Sequence, residues 1–377
     1  MNFVDENSKW GKLSKAFFVD GNSKWAELAK AFFVDENSKW AELWSSSSPR
    51  FVQVTRNVNV YPYGGLIRHS QDGKSWTSLD MQLGNASDNY LYYNNVVFGN
   101  GVYVASFYGG YLAYSTDGIS WTKYTAPQQT SNGSDNTTRV YFCNGKFILY
   151  IYESAPYVEG TFVYTSTNGI NWTYVGKHGS FNGSNYRIDS LAYGKLSAGS
   201  GNVYIAILSY RDYGNIWYST DLLTWTRWYT NVCGYGMHMK PNCDYPFFVA
   251  RLSGSSVISN YYYNTQYSSW SYGYFDDRGY SASVYNEADG TIYFYSGTSG
   301  GYLWKWSIAT AVDGGYYSTT QGSWIASTGM PINAVHGNGL FVGYNTSSMV
   351  YSTDGQTWTV ATSAVSETDN TQICFGS

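Results

Sequence analysis

The segment YSTDGISWT at residues 114–122 has four close relatives in the same chain: HSQDGKSWT at 69–77, TSTNGINWT at 165–173, YSTDLLTWT at 218–226 and YSTDGQTWT at 351–359. In such a segment the short carboxylate or amide side chain accepts hydrogen bonds from backbone N–H groups just after it. The glycine takes a backbone conformation closed to other residues, and the tryptophan packs the following strand on its neighbour. Weaker copies end at Trp270 (NTQYSSW) and Trp324 (STTQGSW), so that seven tryptophans follow one another at intervals of 45, 51, 53, 45, 54 and 34 residues. A period in this range is the size of a four-stranded β unit in a closed ring.

The sequence upstream of each tryptophan fits that reading. VVFGNGVYVAS (96–106), YFCNGKFILY (141–150) and NAVHGNGLFVGY (333–344) place Asn-Gly between alternating aromatic and β-branched residues, and Asp289-Gly290 does the same in the sixth unit. These pairs supply the two positive φ values of a tight hairpin turn. At the C-terminus TQICFGS resembles the first strand of such a hairpin, and FVQVTRNV from Phe51 resembles the second, so the last seven residues are expected to complete the first unit and close the ring. The fold class expected is all-β: a seven-bladed propeller over 51–377.

The Ser-Thr-Asp-Gly-x-Ser/Thr-Trp segments resemble the Asp-box (BNR) repeat of sialidase-like β-propellers, with Asp and Gly adjacent here where the sialidase form usually separates them. The resemblance implies that the turns are structural and lie away from the ligand face. Asp72, Trp76, Asp117, Trp121, Asn168, Trp172, Asp221, Trp225, Asp354 and Trp358 are then residues of the fold.

Residues 1–44 are different. FVDENSKWGKLSKAF, FVDGNSKWAELAKAF and FVDENSKWAELW repeat with a period of 15, marked by Trp10, Trp25 and Trp40. Each reads as a hairpin turning at Asp-Glu/Gly-Asn-Ser, or as a helix with Trp25, Leu28 and Phe32 on one face behind a Ser23 cap. The units resemble short repeats of bacteriophage tail and fibre proteins, which favours hairpins and an attachment or stalk role. SSSSPR at 45–50 reads as a linker.

Composition bounds the function classes. Seventy-three aromatics, from Tyr 40, Phe 18 and Trp 15, with 13% charged residues exclude intrinsic disorder. Seven acidic and seven basic residues fall within the first 50 positions, so the remainder is sparsely charged. A net charge of -4 without a basic block speaks against nucleic acid. No apolar run could span a bilayer and the start lacks signal-peptide features, so a soluble product of the host cytoplasm, without membrane insertion, is expected. Four cysteines are too few for a disulfide scaffold, and Cys233, His238 and Cys243 lack structural-zinc spacing. No metal or cofactor is expected.

The loops on the end of the ring opposite the Asp turns carry the functional expectation. One set spans 80–94, 126–139, 176–189, 227–236 and 271–280; a second spans 106–111, 152–160 and 209–215. They are rich in Tyr, Trp, Asn, Ser and Gly, which give rigid stacking area and adaptable hydrogen bonding of the kind sugars need. The candidate ligand contacts are Tyr90, Tyr92, Tyr186, Arg187 and Arg211, then Tyr213, Trp228, Tyr274, Asp277 and Arg278. Catalysis has the weaker case, since glycoside hydrolysis needs two facing carboxylates, which Glu153, Glu159, Asp212 and Asp277 would have to supply. The sialidase resemblance implies an arginine clamp, but the family's early Phe/Tyr-Arg-Ile-Pro segment is missing. The reading is a non-enzymatic phage tail or virion-surface protein that binds a host surface polysaccharide or receptor. Residues 1–44 would contact other virion proteins, and a homotrimer is one assembly compatible with it. A glycosidase or capsule depolymerase and a purely structural tail component are the alternatives.

Overall fold

A computed structural model describes, in the larger region, residues 50–57, 64–81, 95–107, 110–127, 137–153, 160–178, 187–197, 200–209, 216–229, 232–238, 247–252, 258–264, 269–274, 282–286, 290–296, 302–310, 316–320, 324–326, 331, 333–345, 348–362 and 372–376, together with six short strands between 2 and 45. The chain divides into two compact regions, Met1–Ser48 and Pro49–Ser377. Among the described residues every regular element of more than one residue is a strand.

In the first region Asn2–Val4 pairs with Trp10–Lys12, Phe17–Val19 with Trp25–Glu27, and Lys30–Val34 with Trp40–Ser45, all antiparallel. The hairpin reading of the 15-residue repeat therefore holds, and the helical one does not. In each copy Val and Trp face each other at the turn, as Val4↔Trp10, Val19↔Trp25 and Val34↔Trp40.

The second region is a propeller-like set of antiparallel meanders. Asn95–Gly99 opens a four-stranded sheet that runs through Val102–Phe107 and Tyr111–Ser115 to Thr122–Thr125. The units beginning at Thr137, Arg187 and Asn333 repeat this order. In the first unit the innermost strand is Gln372–Gly376, paired with Arg50–Asn57 from Gly376↔Arg50 to Gln372↔Val54. The C-terminal strand thus completes the sheet that the N-terminal strand begins.

The fifth and sixth units depart from the pattern by sharing one nine-stranded sheet. They are joined by a single parallel pair, Asn264↔Tyr316. Here the long strand Tyr302–Thr310 takes two successive partners on one edge, Trp324–Ala326 at its start and the additional strand Tyr316–Thr320 at its end.

Inner strands touch from Asn95–Gly99 through Thr137–Cys143 and Arg187–Gly194 to Val232–His238, and again from Ala282–Asn286 to Asn333–Gly337, and Gln372–Gly376 touches both Asn95–Gly99 and Asn333–Gly337. Among the described residues the core is distributed over the junctions between neighbouring sheets. Val52, Val54 and Ile67 meet Val96, Tyr103 and Phe107 at one, and Tyr150, Tyr152 and Val163 meet Tyr204, Leu208 and Trp217 at another. The second strand VYVASF is accordingly buried at all six positions, whereas the outermost strand TSLD is exposed at all four. Double-sided burial explains why second strands read as continuous apolar runs.

The Asp turns are closed by one carboxylate oxygen. Asp117 Oδ1 accepts from the N–H groups of Ile119 and Ser120, both at 2.8 Å, and from Ser115 Oγ at 2.9 Å. Asp72, Asp221 and Asp354 repeat the arrangement. Asn168 does so through its amide oxygen at 2.9–3.0 Å. Burial works to raise the carboxyl pKa values, but these hydrogen bonds outweigh it and hold Asp72, Asp221 and Asp354 at about 2, with Asp117 also lowered.

A depressed folded-state pKa contributes stability above the unfolded value of 3.8, and that contribution disappears as pH falls toward 2. Urea midpoints should therefore drop between pH 4 and 2. Replacing the four aspartates by Asn, as Asn168 already demonstrates, should leave the protein folded at neutral pH with a shallower acid slope. An unchanged slope would remove the turns as its source.

Candidate functional site

Alternation of strand direction sorts the loops. Where they occur, Asn-Gly hairpins and Asp turns share one end of a sheet, and the loops between second and third strands, and between units, share the other. At that second end the backbone places Glu153 at the close of Lys146–Glu153, Arg187 at the start of Arg187–Gly194 opposite Ser209, and Tyr274 at the close of Ser269–Tyr274. Trp228, half-buried in Thr226–Tyr229, is the extra residue of a bulge, since Ile216 pairs with Tyr229 while Trp217 pairs with Arg227. Tyr90, Tyr92, Tyr186, Arg211, Tyr213, Asp277 and Arg278 lie outside the described residues, as do Glu159 and Asp212. The structure thus brings Glu153, Arg187, Trp228 and Tyr274 to one end of the ring by strand order.

Two further features were not legible in the sequence. A cavity of about 800 Å³ lies between inner strands, bordered by Val97, Phe98, Tyr285, Val335, His336 and Cys374. Its described lining contains no carboxylate, lysine or arginine, so the two facing carboxylates of glycoside hydrolysis are not found among these residues. The second feature is Arg68, buried within the first unit, which donates from Nη1 to Gln53 Oε1 at 3.1 Å and from Nε to Ser78 Oγ at 3.3 Å. Burial drags its pKa from 12.5 to about 10, which still leaves it charged at neutral pH. Enclosed in this way, it serves the sheet and not an open ligand face.

The thiols fit structural roles. Burial pushes Cys143 up to about 12 and raises Cys374 further, so neither is a thiolate at neutral pH. No group of three or more His, Cys, Asp or Glu suited to a metal ion occurs among the described residues.

No sequence family matches the chain, and no curated relative does. Solved structures do resemble it in fold. A putative 6-phosphogluconolactonase from Bacteroides uniformis aligns over 87% of this chain and all of its own, at 10% identity and a TM-score of 0.50. A virginiamycin B lyase from Staphylococcus aureus covers 74% of this chain and 86% of its own, at 8% identity and a TM-score of 0.46. A glycosyl hydrolase from Bacteroides ovatus covers 72% and 83%, at 13% identity and a TM-score of 0.34. At such identities the likeness concerns architecture alone: the larger region is a propeller-like all-β fold.

Proposed function

We propose that the chain is a virion-surface or tail protein of a bacteriophage, and that it binds a host surface polysaccharide through the loop end of a seven-bladed Asp-box propeller. The observation that carries the binding part is topological. Strand order collects Glu153, Arg187, Trp228 and Tyr274 at the same end as the Tyr-, Asn- and Ser-rich loops, opposite the turns that close the sheets. Stacking area and hydrogen-bonding side chains at one end suit sugar rings. The three hairpins of residues 2–45 would attach the propeller to the particle, and several copies would turn weak contacts into firm adsorption.

The test is retention of the full-length protein on a panel of immobilised bacterial surface polysaccharides, with reducing-end release measured on the same samples. Retention without release, weakened about tenfold by Trp228→Ala, is the expected result, corresponding to roughly 1.4 kcal/mol. Release abolished by Glu153→Gln would replace the binder with a glycosidase. Neither retention nor release across the panel would favour a structural tail component.

A further inference from the structure

Three hairpin turns of the propeller carry Asn-Gly with both residues at positive φ: Asn100 and Gly101 at 48° and 77°, Asn144 and Gly145 at 53° and 66°, and Asn338 and Gly339 at 50° and 72°. Their surroundings differ. Asn100 donates its amide across the junction to the carbonyls of Gly145 and Thr167, both at 2.9 Å. Asn144 likewise reaches the Tyr204 hydroxyl of the next unit at 3.2 Å. All three Asn-Gly pairs are exposed, so exposure does not separate them, but the Asn338 side chain makes no hydrogen bond among the described residues.

The reason lies in how the ring closes. Asn338 faces the first unit, whose first two strands, Gln372–Gly376 and Arg50–Asn57, come from opposite ends of the propeller. They share no tight Asn-Gly turn, and among the described residues the carbonyl that Gly145 offers to Asn100 has no counterpart there.

We infer that Asn338-Gly339 is a site of spontaneous deamidation, reacting ahead of Asn100-Gly101 and Asn144-Gly145. The Gly339 amide nitrogen loses its proton and attacks Asn338 Cγ. The new bond from nitrogen to Cγ closes a succinimide as the Cγ–Nδ2 bond of Asn338 breaks and ammonia leaves. Water then opens the ring at either carbonyl to give aspartate or isoaspartate. Bringing the Gly339 nitrogen onto Cγ requires rotation about the ψ and χ1 bonds of Asn338, which a paired hairpin restricts, so the turn must open locally. At Asn100 opening must break two hydrogen bonds to the next unit, and at Asn144 one; at Asn338 it breaks none. The product puts a carboxylate on a residue that borders the 800 Å³ cavity, and isoaspartate also lengthens the backbone of the turn by one methylene.

The full-length protein is incubated folded at mildly alkaline pH, and in parallel in concentrated urea, and deamidation is followed peptide by peptide by mass spectrometry. Separate peptides distinguish Asn168-Gly169 of the Asp-type turn, and Asn132-Gly133 and Asn182-Gly183, which lie outside the described residues. Asn338 should react several-fold faster than Asn100 and Asn144 in the folded protein, and the three rates should converge in urea. Tyr204→Phe, which removes the Asn144 acceptor, should bring Asn144 toward the Asn338 rate. Equal rates in the folded protein, the same spread in urea, or an unmoved Asn144 rate in the variant would each overturn the inference.

Discussion

A protein lacking residues 371–377 is expected to lose its cooperative thermal transition, or to melt more than about 10 °C below the full-length form. The missing strand removes the ladder from Gly376↔Arg50 to Gln372↔Val54 and leaves Arg50–Asn57 as an open inner edge. It also removes buried Ile373, and Phe375, whose ring centroid lies 4.8 Å from that of Phe51. The Tyr103 hydroxyl, which meets the carbonyls of Gly376 and Arg50 at 3.1 Å each, keeps only the second. Net hydrogen bonds of about 1 kcal/mol and a buried isoleucine at about 2 kcal/mol sum to at least roughly 5 kcal/mol, against a typical total of 5–15 kcal/mol. An unchanged melting temperature would show that the ring does not depend on its closing strand.

The second large effect is expected from Gly99→Val. At the end of each of several inner strands a glycine seats an aromatic ring of the next unit. A Cβ at Gly337 would stand 2.2 Å from Phe375 Cγ, one at Gly376 2.5 Å from Phe98 Cδ2, and one at Gly99 2.2 Å from Phe142 Cδ2 and 2.4 Å from its Cγ. Since Cγ is the root of the ring, rotation cannot relieve the clash, and either Phe142 leaves its rotamer or the strands part. Overpacking of this kind costs about 1–3 kcal/mol, so the melting temperature should fall by roughly 3–10 °C. Gly201→Ala, where an added Cβ meets nothing within 4 Å, is the control and should be near neutral. Phe142→Ala in the Gly99→Val background should cost less than in the wild type; additive effects would dismiss the ring-on-glycine contact as the cause.

These seats and the buried tyrosines place much of the aromatic composition in the framework. Tyr150 donates to the Leu222 carbonyl at 3.3 Å and Tyr295 to the Gly355 carbonyl at 3.0 Å, in each case reaching the Asp turn of the following unit. Tyr141 donates in the same manner to the Ile188 carbonyl. Tyrosine brings a large apolar body together with a hydroxyl that satisfies a backbone acceptor across a junction, which phenylalanine could not do. Burial raises the pKa of Tyr150 and Tyr295, so both stay protonated donors at neutral pH.

The tryptophans show how a regular repeat is modified by its neighbours. Trp76, Trp121 and Trp225 donate from Nε1 to the carbonyl three residues earlier, at 3.1, 3.2 and 3.0 Å. Trp172 donates instead to the Tyr124 hydroxyl, which passes the bond on to the Gly169 carbonyl at 2.6 Å. At Trp358 the equivalent carbonyl, that of Gly355, already accepts from Tyr295, whose ring meets the indole edge-on at 5.5 Å. The Trp358 N–H is buried without a partner. Leu222 is the other exception: it takes the glycine position at φ 68° and places its side chain in the junction with Tyr150 and Trp217.

For Arg187, Trp228 and Tyr274, the candidate ligand residues that fall on described strands, the order of strands fixes the end of the sheet at which the backbone lies, because strand direction alternates whatever the packing. It could not indicate which of them converge, since that depends on loop paths and not on strand order. The hydrophobic period of residues 1–44 was equally silent between helix and hairpin. Pairing of Phe18 with Ala26 and Val19 with Trp25 is a contact between residues too far apart for a periodicity to reveal.

By itself the sequence determined the Asp turns, the Asn-Gly hairpins, the meander order and the strand that closes the ring. All of these rest on hydrogen bonds within a few residues or on repetition of one pattern. Only the tertiary structure decided that the fifth and sixth units share a sheet through Tyr316–Thr320, that glycines seat the rings of the next unit, and that Asn100 and Asn144 are tethered while Asn338 is not. Those outcomes depend on which unit stands beside which, and at the seam the neighbour is built from two distant ends of the sequence.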